Sequence, residues 1–318
     1  MRVYYSDTFN LPLPEGHRFP GQKYAMLRAK LLRDGLVAPD ELHLSPLAED
    51  TDIARGHDAD YIATFESGAL DVRAIRRIGF PWSAQLVRRT RATVGGAIAA
   101  VRAALEDGLS GQLAGGTHHA HRDFGAGYCI YNDQAIAALC ALDNGWAERV
   151  AVVDLDVHQG DGTAAILGAR PSAFVFSMHG AKNFPFRKYD SDLDVPLPDG
   201  VEDDAYLRAL ADHLPAVFAF RPDLVLYQAG VDPLREDSLG RLALTFDGLM
   251  ARDEMVLGEC ARRGLPVAMA IGGGYADPIT PSVTAYANTY AVARRVHRTG
   301  GVAVSPRNNA PGNAGRSP

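Results

Sequence analysis

The run VVDLDVHQGDGTAAI (residues 152–166) begins on apolar residues, turns polar at alternate positions and breaks at two glycines. Its apolar part belongs to Val150–Asp154, which is short and continuous rather than alternating, as in a strand covered on both faces. Its polar part leaves that strand at once. In an extended segment alternate side chains share a face, so Asp154, Asp156 and His158 point together.

The same grammar recurs on either side. Continuous apolar runs predict strands at Val3–Tyr5, Gln112–Ala114, Ala173–Met178, Asp223–Gln228 and Pro266–Ile271. Helical spacing fills the gaps. Tyr24, Leu27 and Leu31 mark a helix closed by Gly35; Leu86, Val94, Ile98, Val101 and Leu105 mark another, with Ser83 as its N-cap and Gly108 past its end. Ile136, Leu139 and Cys140 precede an Asn144-Gly145 stop. Leu207, Leu210, Leu214 and Val217 follow the acidic Glu202-Asp203-Asp204, which suits a helix N-terminus. Tyr286 and Tyr290 belong to a last helix. Strands alternating with helices predict an α/β chain with a mostly parallel sheet and helices on both faces. No linker or repeat interrupts this pattern, so residues 1–303 are expected to form one domain. Residues 304–318, which carry no large apolar side chain, are expected to be a disordered tail.

Composition narrows the function. The 318 residues carry 32 Lys+Arg against 38 Asp+Glu, a net charge of −6, which gives no basic footprint for nucleic acid. Arg76-Arg77 and Arg88-Arg89 sit in helical sequence and read as solvated faces. With 47% hydrophobic and 22% charged residues, the chain is neither disordered nor a disulfide scaffold. Cys129, Cys140 and Cys260 form no CxxC pair. Their odd number, the absence of an apolar leader and the absence of a membrane-length apolar run predict a soluble cytoplasmic protein with no membrane partner. Nothing in the sequence specifies an oligomeric state.

Ligands of an open parallel sheet sit outside the carboxyl ends of its strands. Those ends read Gly115-Gly116-Thr117-His118-His119, then Asp154 to Gly162, then Ala229-Gly230-Val231-Asp232, then Gly272-Gly273-Gly274-Tyr275. Asp156, His158 and Asp232 offer oxygen, nitrogen and oxygen to one metal, the ligand count of a catalytic zinc with an open position. A histidine of the His118-His119 pair can act as general base, and each histidine needs an acidic partner, with Asp154 and Asp161 available. His121 and Arg122 read as solvated neighbours. Tyr275 follows a flexible turn from which a phenol can reach a developing oxyanion. There is no GxSxG, no Walker motif and no dinucleotide fingerprint. These residues describe a metal-assisted hydrolase.

GGTHHAHRDFGAGYCIYND (115–133), VVDLDVHQGDGTAAI (152–166), FSMHGAKNFPF (176–186), YQAGVD (227–232) and IGGGY (271–275) together resemble the zinc-dependent histone deacetylase family. That family includes acetoin-utilisation proteins and acetylpolyamine amidohydrolases. VDPLREDSLGRLALT, HRFP near residue 17 and the SMHGAKNFPFRK segment look most like its class IV and bacterial amidohydrolase members. The resemblance implies the arginase/deacetylase fold, with about eight strands in a central sheet, and removal of acetyl or longer acyl groups from the ε-amine of lysine. The alternative substrate is an acetylpolyamine or another small acylated amine. It further implies one Zn2+ on Asp156, His158 and Asp232. His119 would be base and then acid, His118 its electrostatic partner, Asp161 and Asp154 their orienting carboxylates, and Tyr275 the oxyanion donor. The Gly127 carbonyl would accept from the scissile amide, and Tyr128 and Phe184, or Phe186 in its place, would line the acyl-lysine tunnel. A structural K+ or Na+ is implied near Asp154, Asp156, His158, Ser177 and Met178. Thr117 stands where many members carry an aromatic residue and Tyr128 where Phe is usual. No loop aspartate for gripping a peptide is evident beyond Asp58 and Asp60. A two-manganese ureohydrolase would need further carboxylates beside Asp232, which Pro233 follows. A non-catalytic acyl-lysine binder would be expected to have lost a ligand, the histidine pair or Tyr275.

Overall fold

The computed structural model describes residues 1–9 and 11–299. The expected tail at 304–318, with the last residues of the expected domain, lies outside the described residues.

Eight strands form one sheet: β1 (Arg2–Tyr5), β2 (Leu42–Leu44), β3 (Leu109–Gln112), β4 (Val150–Asp154), β5 (Ala173–Gly180), β6 (Leu193–Leu197), β7 (Leu224–Gln228) and β8 (Val267–Ala270). Their order is β2-β1-β3-β8-β7-β4-β5-β6, and every pairing is parallel. The chain therefore leaves the sheet's middle after β3, builds outward from β4, and returns to fill the gap with β7 and β8. This brings the carboxyl ends of β3, β8, β7 and β4 side by side, where the sequence pattern predicts the site.

The helices are α1 (Lys23–Arg33), α2 (Asp50–Gly56), α3 (Ala59–Glu66), α4 (Val72–Ile78), α5 (Ala84–Asp107), α6 (Asp133–Asp143), α7 (Asp161–Leu167), α8 (Asp203–Ala219), α9 (Phe246–Arg262) and α10 (Thr280–Thr299). Ser83 caps α5 by accepting from the Leu86 amide at 3.1 Å, and Gly108 ends it in the left-handed conformation. α5 and α6 meet through buried alanines, among them Ala97, Ala100 and Ala104 against Ala135, Ala138 and Ala141, which let the two backbones approach closely. No described helix is long and apolar enough to cross a membrane. Cys129, Cys140 and Cys260 are buried free thiols.

One expectation needs correction, and two strands carry no sequence signal that predicts them. The strand placed at Gln112–Ala114 spans Leu109–Gln112, because pairing of Ser110 and Gly111 with β1 and β8 outweighs their weak apolar signal. The edge strands β2 and β6 have no continuous apolar run: both are partly solvent-exposed, and β6 contains Pro196, tolerated at an edge where no outer partner needs its missing N–H.

His57 joins α2 to the segment entering α6. It is 2% exposed, and its Nε2 accepts the Asn132 amide at 2.9 Å. Burial lowers its pKa from 6.5 to about 4. A proton on that nitrogen would confront an amide hydrogen inside the protein. Because the folded-state pKa is depressed, this stabilisation is fully present above about pH 6.5 and is lost as pH falls through about 4, an effect of about 3 kcal/mol. His57→Gln, whose amide oxygen accepts the same N–H without titrating, should flatten the pH dependence of stability across that window. Denaturant melts at pH 7.5, 5.5 and 4 check this, and equal slopes for both proteins would refute it.

Candidate active site

The loop after β3 is built by α6. Asp133 Oδ1 accepts from the Thr117 amide at 2.8 Å and its hydroxyl at 2.6 Å, while Oδ2 accepts from Gln112 Nε2 at 2.8 Å and the Gly116 amide at 3.2 Å. Thr117 thus earns its place as an anchor for the histidine loop rather than as a packing residue. Gly116, at φ +75°, must lack a side chain, because a Cβ would meet the Gly272 backbone at 2.4 Å. Asn132 donates to the Ala120 carbonyl at 3.1 Å and to Thr163 at 3.1 Å, which closes the loop's far side.

This loop presents two buried histidines with separate carboxylate partners. His118 Nδ1 lies 2.7 Å from Asp154 Oδ2, and His119 Nδ1 lies 2.7 Å from Asp161 Oδ1. The rings are 4.2 Å apart. Burial opposes charge on His118, but Asp154 and Asp156 outweigh it and raise its pKa to about 9. For His119, burial and the neighbouring His118 charge together lower the pKa to about 4. His121 is not solvated as expected: its Nε2 contacts the other Asp161 oxygen at 2.8 Å and its ring stacks on Phe124. Asp161 is therefore gripped from two sides, and burial's upward push on its carboxyl is outweighed by hydrogen bonds to both histidines.

Asp156, His158 and Asp232 converge as predicted, with one ligand atom of each within 4.8 Å of the others. His158 Nδ1 lies 3.1 Å from Asp156 Oδ1 and 3.0 Å from Asp232 Oδ2. The remaining carboxylate oxygens are held by backbone amides: Gly273 donates to Asp156 at 2.6 Å and Val157 to Asp232 at 2.8 Å. Gly273 has no room for a Cβ, which would lie 2.0 Å from Asp232 Oδ2. Two carboxylates at 0–1% exposure share one imidazole. Burial and the Asp156 charge push the Asp232 carboxyl up to about 7. That surplus of buried negative charge, with oxygen and nitrogen donors facing one point, fits a divalent cation of the zinc type. Among the described residues this is the one such cluster.

A cavity of about 330 Å³ connects these groups with Gly127, Tyr128, Phe184 and Tyr275. Phe184 stands edge-on to the His119 ring with centroids 4.7 Å apart, whereas Phe186 is 89% exposed at the cavity's open end, so Phe184 is the one beside the histidines. Gly127 and Tyr128 both have positive φ, +54° and +65°, and their amides are tied to the Arg77 and Ile78 carbonyls at the end of α4. Left-handed backbone at a tyrosine costs roughly 1 kcal/mol and persists where surrounding contacts enforce it. Ser177 sits beside Asp154 in the β4–β5 register, and Met178 follows it in the buried part of β5.

Three features were not read from sequence. Asp237 accepts the Tyr275 amide at 2.6 Å and Ser238 donates to the Tyr275 carbonyl at 2.5 Å, so the loop after β7 fixes the tyrosine's backbone. Lys23 is buried, donating to the Gly274 carbonyl at 3.1 Å with its ammonium 4.6 Å from the centre of the Tyr275 ring. Only a Lys between aromatic residues in α1 hinted at this. Arg89, expected on a solvated face, is half-buried, stacks over Tyr24 and lines the cavity, while Arg88 is exposed. Neither Asp58 nor Asp60 lines the cavity.

Known proteins are similar to this chain in sequence and in fold. The histone deacetylase domain family matches residues 17–291. An uncharacterized protein of Picosynechococcus sp. is 46% identical over 296 residues, covering 93% of this chain and 99% of that one. The histone deacetylase-like amidohydrolase of Pseudomonas aeruginosa is 31% identical over 287 residues, covering 85% of this chain and 75% of its own. The crystal structure of an HDAC homolog complexed with SAHA superposes with a TM-score of 0.78 over 94% of this chain and 88% of that one; at 22% identity it speaks to the fold alone. The chain belongs to the histone deacetylase family.

Proposed function

We propose that this protein is a zinc-dependent deacylase that hydrolyses the amide of ε-acyl-lysine. The observation that carries this reading is the Asp156–His158–Asp232 cluster facing two histidine–carboxylate pairs across one cavity. One Zn2+ would be held by those three residues, where it supplies Lewis acidity toward the amide carbonyl and brings water within reach of deprotonation near pH 7.

The chain's own groups have the remaining work. His119 is held neutral by burial and by the charge beside it, so it can accept a proton from water and later deliver it to the departing amine. Asp161 fixes its tautomer, leaving Nε2 free toward the cavity. His118 with Asp154 keeps a positive charge beside the developing negative one. Burial raises the Tyr275 phenol well above its ordinary range, which keeps its proton available for donation to the carbonyl oxygen. The Gly127 carbonyl accepts from the scissile N–H, and Tyr128 and Phe184 flank the lysine stem. The neighbouring backbone of Asp154, Asp156, His158, Ser177 and Met178 would hold a structural K+ or Na+. A two-metal ureohydrolase is disfavoured because the described residues offer a single three-ligand cluster. A silent binding module is disfavoured because Asp156, His158, the histidine pair and Tyr275 share one cavity, with Asp232 directly behind His158.

The cavity's open end favours acyl-lysine in a peptide over a free polyamine. Lys182 and Arg241 line it with side chains 73% and 53% exposed. Both reach Asp199, so two cations share one carboxylate and one positive charge is left over. Among the described residues Asp156 is the sole carboxylate along the cavity wall. A polyamine would bring further cations against that net positive rim.

Chelation should abolish turnover of an acyl-lysine peptide, and one equivalent of Zn2+ should restore it, measured by metal analysis alongside rate. His119→Ala and Tyr275→Phe should each lower kcat by about 10²–10³-fold with little change in zinc content. Turnover left intact in either variant would remove that residue from the mechanism. On substrate charge, peptides with acidic flanks should exceed acetylated polyamine in kcat/KM by about tenfold, a preference that shrinks in high salt and in Lys182→Glu/Arg241→Glu. A polyamine preference would instead make the small-amine reading the correct one.

A further inference from the structure

Arg252 lies on α9, which contributes no residue to the cavity wall, yet its guanidinium reaches the two strand ends that carry the carboxylate ligands. It is 0% exposed. Nη1 donates to the Gly230 carbonyl at 2.6 Å and to the Leu155 carbonyl at 3.3 Å. Leu155 immediately precedes Asp156, and Gly230 precedes Asp232 by two residues. Both carbonyls lie past the last residues of β4 and β7, beyond the regular ladder. The strand ends touch here: a Cβ on Gly230 would meet Asp156 Oδ2 at 2.4 Å and its Cα at 2.8 Å.

The guanidinium is itself fixed. Its Nε donates to Asp253 Oδ1 at 2.9 Å, and Nη2 pairs with the same oxygen at 2.8 Å. Asp253 also accepts the Tyr227 hydroxyl at 2.5 Å and, on its other oxygen, the Thr289 hydroxyl at 2.6 Å. β7, α9 and α10 thus all hold one cation in place. For stability alone such an investment is poor, since well-packed apolar residues often replace a buried ion pair at no cost.

We propose that Arg252 is a positioning residue for the metal site: by binding the Leu155 and Gly230 carbonyls together it sets the spacing of Asp156 from Asp232. The inference rests on the metal reading above. Groups that orient ligands without touching the metal are worth about 10- to 100-fold in affinity.

The test is Co2+ affinity of the full chain by competition with a chelator, together with the d–d absorption of the bound cobalt. Arg252→Lys keeps the charge opposite Asp253 but not the planar fork, and Arg252→Met removes both. Each should weaken Co2+ binding by about 10- to 100-fold and alter the absorption bands. Val101→Ala, which empties core volume on α5 in an apolar cluster that does not include Leu155, should lower the melting temperature and leave both readouts unchanged. A folded Arg252 variant with wild-type affinity and spectrum would overturn the proposal. Should Arg252→Met fail to fold, Arg252→Lys carries the test. A wild-type chain that binds no Co2+ would overturn the metal reading, and this inference with it.

Discussion

Burying a carboxylate without a partner costs several kcal/mol, and this chain buries Asp133, Asp154, Asp156, Asp161, Asp232 and Asp253 around the ends of a few adjacent strands. How each charge is answered organises the site. Asp133 is satisfied by two backbone amides, a hydroxyl and a side-chain amide. Asp154 has His118, Asp161 has His119 and His121, and Asp253 has Arg252 with two hydroxyls. Asp156 and Asp232 are left to share the His158 ring and three amides. The others are internally balanced, and this pair, short of one cation, is where the metal reading begins.

The same accounting separates two adjacent histidines that the sequence makes look equivalent. His118 faces Asp154 and Asp156, so attraction wins over burial and it favours the charged form. His119 is buried beside that charge and is driven toward the neutral form, with only Asp161 pulling the other way. Pairs of titratable groups whose surroundings push their pKa values apart are the ones that divide proton work between them. The division depends on backbone geometry, because neighbouring rings must reach carboxylates on different segments: β4 for His118 and the start of α7 for His119.

Much of this was legible in the sequence because the central strands are buried on both faces. Continuous apolar runs mark β4, β5, β7 and β8 within one or two residues at most ends, and the polar residues right after them had to emerge on one edge. Alternation read from the sequence put Asp154, Asp156 and His158 on one edge; the chain in fact bends over 156–158, which leaves Asp154 to His118 and brings Asp156 and His158 to Asp232. The rest depended on contacts between distant segments. β3 could be placed only through its partners, since Ser110 and Gly111 carry little signal. His121 is two residues from His119 yet meets the same carboxylate because Asp161, at the start of α7, presents one oxygen to each. Asp133, Asp237 and Lys23 act on loops far from them in sequence, and no local spacing announces such work.

Chemistry and selectivity consequently sit on different kinds of structure. The Asp156–His158–Asp232 cluster is packed against glycines that a side chain would displace: the Gly273 amide holds Asp156 and a Cβ there would strike Asp232, so small changes would disrupt the cluster. The cavity's open end is made by exposed side chains on segments outside the regular elements, including Lys182, Phe186, Leu239 and Arg241. Those residues can change without disturbing a single buried charge. Changes at the opening can therefore alter which molecules enter without altering the buried cluster. In this chain the buried charges lie at the strand ends, and the exposed side chains lie around the opening.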